Sequence, residues 1–439
     1  MISVGKPFVY EDGQFAYLKA KVIISADTAA RYLAASKIIK KVHWRTSENY
    51  PPIEWQNDDS GLWFATPIEY KDYLCIDRSD AFIVAMLWYA MITGSDIEYV
   101  VPMSERMNFS IQEYLIPALC TQENGYRRIR LIGPTTDIPY KSVHAVGTGM
   151  SCGVDSIYTL QEYSKLSIPE KYRLTHLTYY NMGAIFHPNR SEKKEYSLKE
   201  FYETTDRMSE DKCENARQVA ELSKLPLVYV KSNLDSDYYR GAYGHTGVYR
   251  NCAMTLALQG LFSIYYCSSG GWPGYFDLTL TEGSEHYESL LCTCLSTESL
   301  SFILSDYVSR MEKTESIADN PIAHEYLDVC FCFNNCGKCS KCLRTLVSLD
   351  LLDKVHLFRN TIDTRYFENH IEEVYLELLR TKDRNQFDDN AVFARDLYRF
   401  AKEKGKIPQV AMRKYRFEKR ISGIKREIKR ILVRCCKHS

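Results

Sequence analysis

The stretch from Val143 to Ser156, VHAVGTGMSCGVDS, reads as a short apolar strand that ends in small residues and turns directly into a helix. Val143 to Met150 is the strand and Ser156 to Lys165 carries helical spacing, with turn and capping residues between them. Such a succession aims several backbone N–H groups at one point, where the partial charge of the helix start attracts an anion. Gly153 keeps the turn open to a close ligand. Ser151 and Ser156 add hydroxyl donors, and Asp155, repulsive to phosphate alone, makes sense beside a bridging Mg²⁺. Ser151, Cys152, Gly153, Val154, Asp155 and Ser156 therefore form a candidate phosphate loop, although a capped turn without a ligand would select similar residues.

Outward from this loop, short apolar runs alternate with amphipathic segments, the pattern of a parallel α/β sheet. Leu174 to Tyr180 is the next expected strand, Cys213 to Lys224 a helix, Leu227 to Val230 a strand, and Asn251 onward a helix that feeds a strand around Ile264 to Ser268. Residues 1–140 are expected to form an α+β domain of their own, with helical segments at Ala81 to Ile92 and Ile111 to Leu119. Residues 141–352 form the α/β domain, and 353–439 a helical region whose clearest apolar stripe is Ile371 to Leu379.

A chain of 439 residues exceeds one ordinary hydrophobic core, and 45% hydrophobic with 26% charged residues fits a globular protein. The first thirty residues show no charged start followed by an apolar run, so no secretory signal is expected. Ala81 to Ile92 is too short to cross a hydrocarbon layer and reads as a buried helix, so no membrane span is expected. Fifteen cysteines in such a chain imply a reducing, cytoplasmic setting in which clustered thiols hold metal more often than they pair.

Five of those cysteines fall in thirteen residues: Cys330, Cys332, Cys336, Cys339 and Cys342. Thiolates two or three residues apart converge on a tetrahedral metal, and Gly337 permits the tight turn between them. Cys336, Cys339 and Cys342 are the core of a candidate Zn²⁺ site, with both Cys330 and Cys332 within reach as the fourth ligand. A redox pair or an iron–sulfur cluster are the competing uses of such thiols.

The loop resembles the Ser-Gly-Gly-x-Asp-Ser element of the N-type ATP pyrophosphatases, with Cys152 standing where that family has its first glycine. Tyr249-Arg250-Asn251 is similar to the Pro-x-Arg-Asn element of the 7-cyano-7-deazaguanine synthases, and the cysteine cluster with Arg344 after it resembles their zinc knuckle. The three occur in the family order, and the likeness spans residues 141–350. It implies a Rossmann-like, adenine nucleotide alpha hydrolase-like ATP pyrophosphatase domain using ATP, Mg²⁺ and Zn²⁺. It implies Cys330 as the fourth metal ligand, and catalytic roles for Asp155, Ser156, Arg250 and Lys313. The implied activity is that of a C–N ligase that adenylates a carboxylate or amide and releases pyrophosphate, on a 7-deazapurine-like base or a partner protein joined to one, in bacterial antiphage defence. Alternatives are an amidotransferase or thiolase acting on a sugar or tRNA base, with Cys213, Cys252 or Cys267 as nucleophile, and a weakly catalytic ATP-binding module. Gly283 and Ser284 fall where polar contacts to nucleotide are expected; His245 and His286 read as surface residues rather than acid–base groups.

Charge is unevenly distributed: Ala401 to Ser439 carries 14 Lys/Arg against 3 Asp/Glu in a chain whose formal net charge is zero. Ile421, Ile424, Ile428 and Ile431 recur between these charges at helical spacing. This tail reads as a helix that packs on its own protein, lies on an anionic membrane surface or grips a partner; a basic face alone binds membranes only weakly, so self-packing with contact to an acidic partner comes first. It is also the one region open to nucleic acid, though without a regular aromatic stacking platform.

Overall fold

The computed structural model describes residues 1–43, 61–121, 125–184, 197–239, 241–268, 276–278, 283–330, 335–384 and 389–435. The chain divides into two compact units, Met1–Val308 and Ser309–Ser439.

The first unit is built on an eight-stranded sheet. Its order is Ser301–Leu304, Phe262–Cys267, Ala145–Gly149, His176–Asn181, Leu227–Ser232, Leu62–Pro67, Phe15–Ala20 and Phe8–Glu11. The first five are parallel, and the last three extend the sheet antiparallel. Counted along the chain from Ala145–Gly149, the parallel strands lie in the order 3-2-1-4-5, so strand order reverses on either side of Ala145–Gly149. These segments are rich in Val, Ile, Tyr and Phe, which suit a pleated surface covered by helices. A second, four-stranded sheet orders Val22–Ile24, Ile2–Val4, Ile97–Tyr99 and Leu131–Ile132.

The helix Asp80–Thr93 is buried at every residue and packs along the helix Tyr243–Ala257. A helix apolar on all sides has no solvent face, so the expected buried helix at Ala81 to Ile92 takes this place. One core cluster runs from Ile2 and Phe64 through Trp88 and Leu119 to Val230, Phe262 and Phe302. The division therefore differs from the boundary expected near residue 140. The strands Phe8–Glu11, Phe15–Ala20 and Leu62–Pro67 belong to the sheet of the α/β region, a pairing between distant segments that local periodicity does not encode. The boundary expected near Leu352 is likewise displaced to Ser309.

The second unit is helical: Arg310–Ile317, Pro321–Tyr326, Ser340–Leu351, Arg365–Asn369, Ile371–Thr381, Asp389–Glu403 and Gln409–Cys435. Its core is the contact of Ser340–Leu351 and Ile371–Thr381 with Asp389–Glu403. Among the described residues, no helix is long and apolar enough to cross a membrane.

Candidate functional site

The strand Ala145–Gly149 ends in Met150, whose N–H bonds to Thr178 O at 2.7 Å. The helix Val154–Tyr163 begins after Gly153, an extended residue at its N-cap. The first N–H bonded within the helix is that of Ile157, to Gly153 O at 3.0 Å. The preceding N–H groups have no intrahelical acceptor, as at any helix start. Side chains brace the turn. Ser156 Oγ donates to Gly153 O at 3.0 Å and lies 3.4 Å from Ser151 Oγ, while Gly153 N–H reaches Ser151 Oγ at 3.4 Å. Thr159 Oγ1 donates to Asp155 O and to Ser305 Oγ, at 2.9 and 3.1 Å.

Ser151 is exposed, Asp155 half-buried and Ser156 buried. Cys152 is buried at φ 58°, in the left-handed region that a side chain enters at a cost of about 1–2 kcal/mol. Ser268, expected only as a strand end, lies at the carboxyl end of the neighbouring strand with its Oγ 3.2 Å from Thr148 Oγ1.

Arg250 sits elsewhere than expected. The helix starts at Tyr243, so Arg250 is in its interior and fully buried. Its guanidinium donates to Asp235 Oδ1, Met182 O, Thr246 Oγ1 and Gly241 O at 2.5 to 2.7 Å. These bonds engage all three guanidinium nitrogens, so Arg250 acts as a clamp on the carboxyl ends of His176–Asn181 and Leu227–Ser232. Asp235, which carried no motif, is its partner. At the same end of the sheet a cavity of about 340 Å³ is lined by Trp63, Asn181, Tyr202, Asp206, Glu210 and Tyr229, among others.

His245 is buried rather than superficial, its ring stacked on Trp88 at 5.7 Å. His286 is half-buried. Ser284 is fully buried, accepting from Val248 N–H and donating to Gly244 O, both at 3.2 Å, and so fastens the start of the Arg250 helix. Cys213, Cys252 and Cys267 are buried. Burial pushes the Cys213 thiol up to about 12 and raises Cys252, and hydrogen bonding with Cys252 holds Cys267 well above the ordinary thiol range. That is opposite to what a thiolate nucleophile needs.

In the second unit the Sγ atoms of Cys330, Cys336, Cys339 and Cys342 all lie within 4.8 Å of one another. Cys330 Sγ is 3.5 Å from Cys336 Sγ and 3.8 Å from Cys339 Sγ. A tetrahedron with metal–sulfur bonds of about 2.3 Å has edges of about 3.8 Å, so the four thiols can hold a metal such as zinc. Three backbone N–H groups point at the sulfurs: Cys336 N to Cys330, Cys339 N to Cys336 and Cys342 N to Cys339, at 3.4 to 3.5 Å. Cys339 caps the helix Ser340–Leu351, whose N-terminal charge favours thiolate. Hydrogen bonds to the neighbouring cysteine sulfurs raise Cys330 and Cys342, with burial and nearby like charge acting in the same direction. Cys332 lies outside the described residues.

Asn335 builds the knuckle. At φ 40° it donates from Nδ2 to Leu327 O and Thr361 O at 2.6 and 2.9 Å and accepts from Val329 N–H at 3.0 Å. Arg344 lies over the Phe393 ring at 3.7 Å. Lys313, expected near the nucleotide, belongs to this second unit and is 2% exposed in the helix Arg310–Ile317. Comparison with protein-family models, with curated proteins and with solved structures finds no match to this chain.

Proposed function

We propose that the Ser151 to Ser156 loop binds the phosphates of ATP and that the protein is an N-type ATP pyrophosphatase similar to the 7-cyano-7-deazaguanine synthases. The observation that carries this reading is the loop's place: it leaves the carboxyl end of the strand at which the 3-2-1-4-5 sheet order reverses, and runs into a helix N-terminus. Open α/β sheets of this Rossmann-like order bind nucleotides in that crevice. Ser151, Gly153 and Ser156 would hold pyrophosphate, and Asp155 would position Mg²⁺. Arg250 contributes by fixing the adjoining strand ends.

In this scheme a carboxylate or amide oxygen of the substrate attacks the α-phosphorus of ATP, pyrophosphate leaves, and a nitrogen nucleophile then displaces AMP from the activated carbon. No side-chain nucleophile is required, which agrees with the burial of Cys213, Cys252 and Cys267 and disfavours a thiolase. A deazapurine-like base suits the cavity beside Asn181, where Tyr202 and Tyr229 offer stacking faces and Asp206 and Glu210 offer acceptors to ring N–H groups. The four-cysteine group would hold Zn²⁺ as a structural ion, with all positions taken by protein. A weakly catalytic ATP-binding module is the second reading, favoured by Cys152 at a left-handed position where the resembling family has glycine.

ATP with Mg²⁺ should raise the melting temperature of the parent and leave that of Asp155→Asn unchanged. Turnover with substrate should give AMP and pyrophosphate. Release of ADP and orthophosphate would end this assignment. Nucleotide binding without any turnover would select the second reading.

A further inference from the structure

The C-terminal helix Gln409–Cys435 carries ten Lys/Arg against two Asp/Glu. One face is already occupied within its unit. It packs along the helix Ile371–Thr381, and the contact is fixed by Arg380 Nε donating to Glu418 Oε2 at 2.9 Å, Tyr415 Oη to Asp383 Oδ2 at 2.5 Å, and Lys419 pairing with Asp383 at 2.5 Å. Ala411, Tyr415 and Glu418 define that face.

A second face points outward. Val410, Phe417, Ile421 and Ile424 are 38%, 64%, 38% and 61% exposed. At about 100° per residue they fall in a sector about 60° wide, centred about 120° from the packed face. The sequence repeats the same spacing with Ile428 and Ile431. Exposed Arg413 and Arg420 border this stripe on one side and exposed Lys414 on the other.

We infer that this stripe docks the protein on an anionic lipid surface, with the helix lying in the plane of the interface. An apolar stripe edged by cations on both sides lets aliphatic and aromatic groups enter the acyl boundary while the long basic side chains reach lipid phosphates. Charge chooses this occupant over the others. A second copy of so basic a helix would be repelled, and a nucleic acid would use the cations but leave Phe417, Ile421 and Ile424 in water. Apolar insertion and anionic attraction supply the two signals that stable surface binding needs.

The test is sedimentation of the full chain with vesicles of phosphatidylcholine containing about 30% phosphatidylserine, against vesicles of phosphatidylcholine alone. The expected result is binding to the anionic vesicles that falls about tenfold or more in the Phe417→Ser/Ile424→Ser variant and similarly in Arg413→Gln/Arg420→Gln. Unchanged helicity and metal content of these variants exclude misfolding. A Phe417→Trp variant should show blue-shifted emission on vesicle addition, since the ring leaves water. No vesicle binding overturns the inference. So does binding that ignores the serine substitutions, or a shift of duplex DNA without vesicle binding, either of which would make the helix a purely electrostatic arm.

Discussion

Arg250 Nη1 donates to Asp235 Oδ1 at 2.7 Å inside the first unit, with Arg250 0% and Asp235 8% exposed. The same carboxylate oxygen accepts Gly241 N–H at 3.1 Å. Gly183, at φ +81°, leaves room for the pair, because a Cβ there would lie inside contact distance of both side chains.

Arg250→Met should lower stability by roughly 3–5 kcal/mol, since it leaves a buried carboxylate without its cation. Arg250→Lys should recover little of this, because one ammonium cannot replace a planar fork that bonds in four directions. Chemical denaturation reads both. If Arg250→Met proved as stable as the parent and lost only nucleotide affinity, the arginine would be a ligand contact instead of a clamp.

Cys152 gives a second expectation. Glycine removes the left-handed penalty of about 1–2 kcal/mol but also a small buried side chain, so Cys152→Gly should be as stable as the parent or slightly more so. Cys152→Val places a β-branched residue at positive φ and should lose at least about 2 kcal/mol. Equal unfolding midpoints for the Gly and Val variants would mean that the loop does not hold this conformation.

The local series of strands and helices from Ala145 to Cys267 was legible because each element carries its own period and punctuation. The π-helical and left-handed backbone before Tyr243 was not, so the Arg250 helix was expected to begin eight residues late. Knuckle cysteines declare themselves by spacing, and Cys330 lies in one group with Cys336, Cys339 and Cys342, while Cys332 falls outside the described residues. Asp235 and Lys313 show what remained hidden: nothing in a one-dimensional pattern says which charge is buried or what it faces. The sheet extension by Leu62–Pro67, Phe15–Ala20 and Phe8–Glu11 was invisible for the same reason, since the paired segments lie more than a hundred residues from Leu227–Ser232.

Asp80 should make stability depend on pH. Burial pushes its carboxyl up from 3.8 to about 6, against hydrogen bonds from Gln259 Nε2 and Ser104 N–H, both at 2.8 Å, which lower it. The folded form holds the proton more tightly than the unfolded chain, so this group's contribution falls as pH rises from about 4 to about 6 and is constant above. A displacement of this size corresponds to on the order of 3 kcal/mol. Unfolding free energy of the parent minus that of Asp80→Asn should therefore decrease through this window, and a difference independent of pH would refute the buried titration.

The knuckle makes the most direct claim about metal. Purified protein should hold about one zinc per chain, and Cys336→Ser, Cys339→Ser, Cys342→Ser and Cys330→Ser should each lose it, since three thiolates leave an open position and weaken a structural site. Cys332→Ser should keep it. Chelation should lower the melting temperature of the parent strongly and that of Cys336→Ser little, because the metal's binding free energy is then already absent from folding. Gly337→Ala separates geometry from ligation: it keeps all four sulfurs, yet Gly337 has φ +65° and a Cβ there would run into the Asp363 carbonyl oxygen. Asp363 is itself tied by its N–H to Asn335 O at 3.1 Å, so the clash falls on the segment that shapes the turn. Gly337→Ala should therefore bind zinc more weakly than Cys332→Ser, with both read by atomic emission and by a competing chelator. Full zinc retention by Cys336→Ser would remove the four-thiolate assignment, and loss of zinc by Cys332→Ser would move the fourth ligand from Cys330 to Cys332.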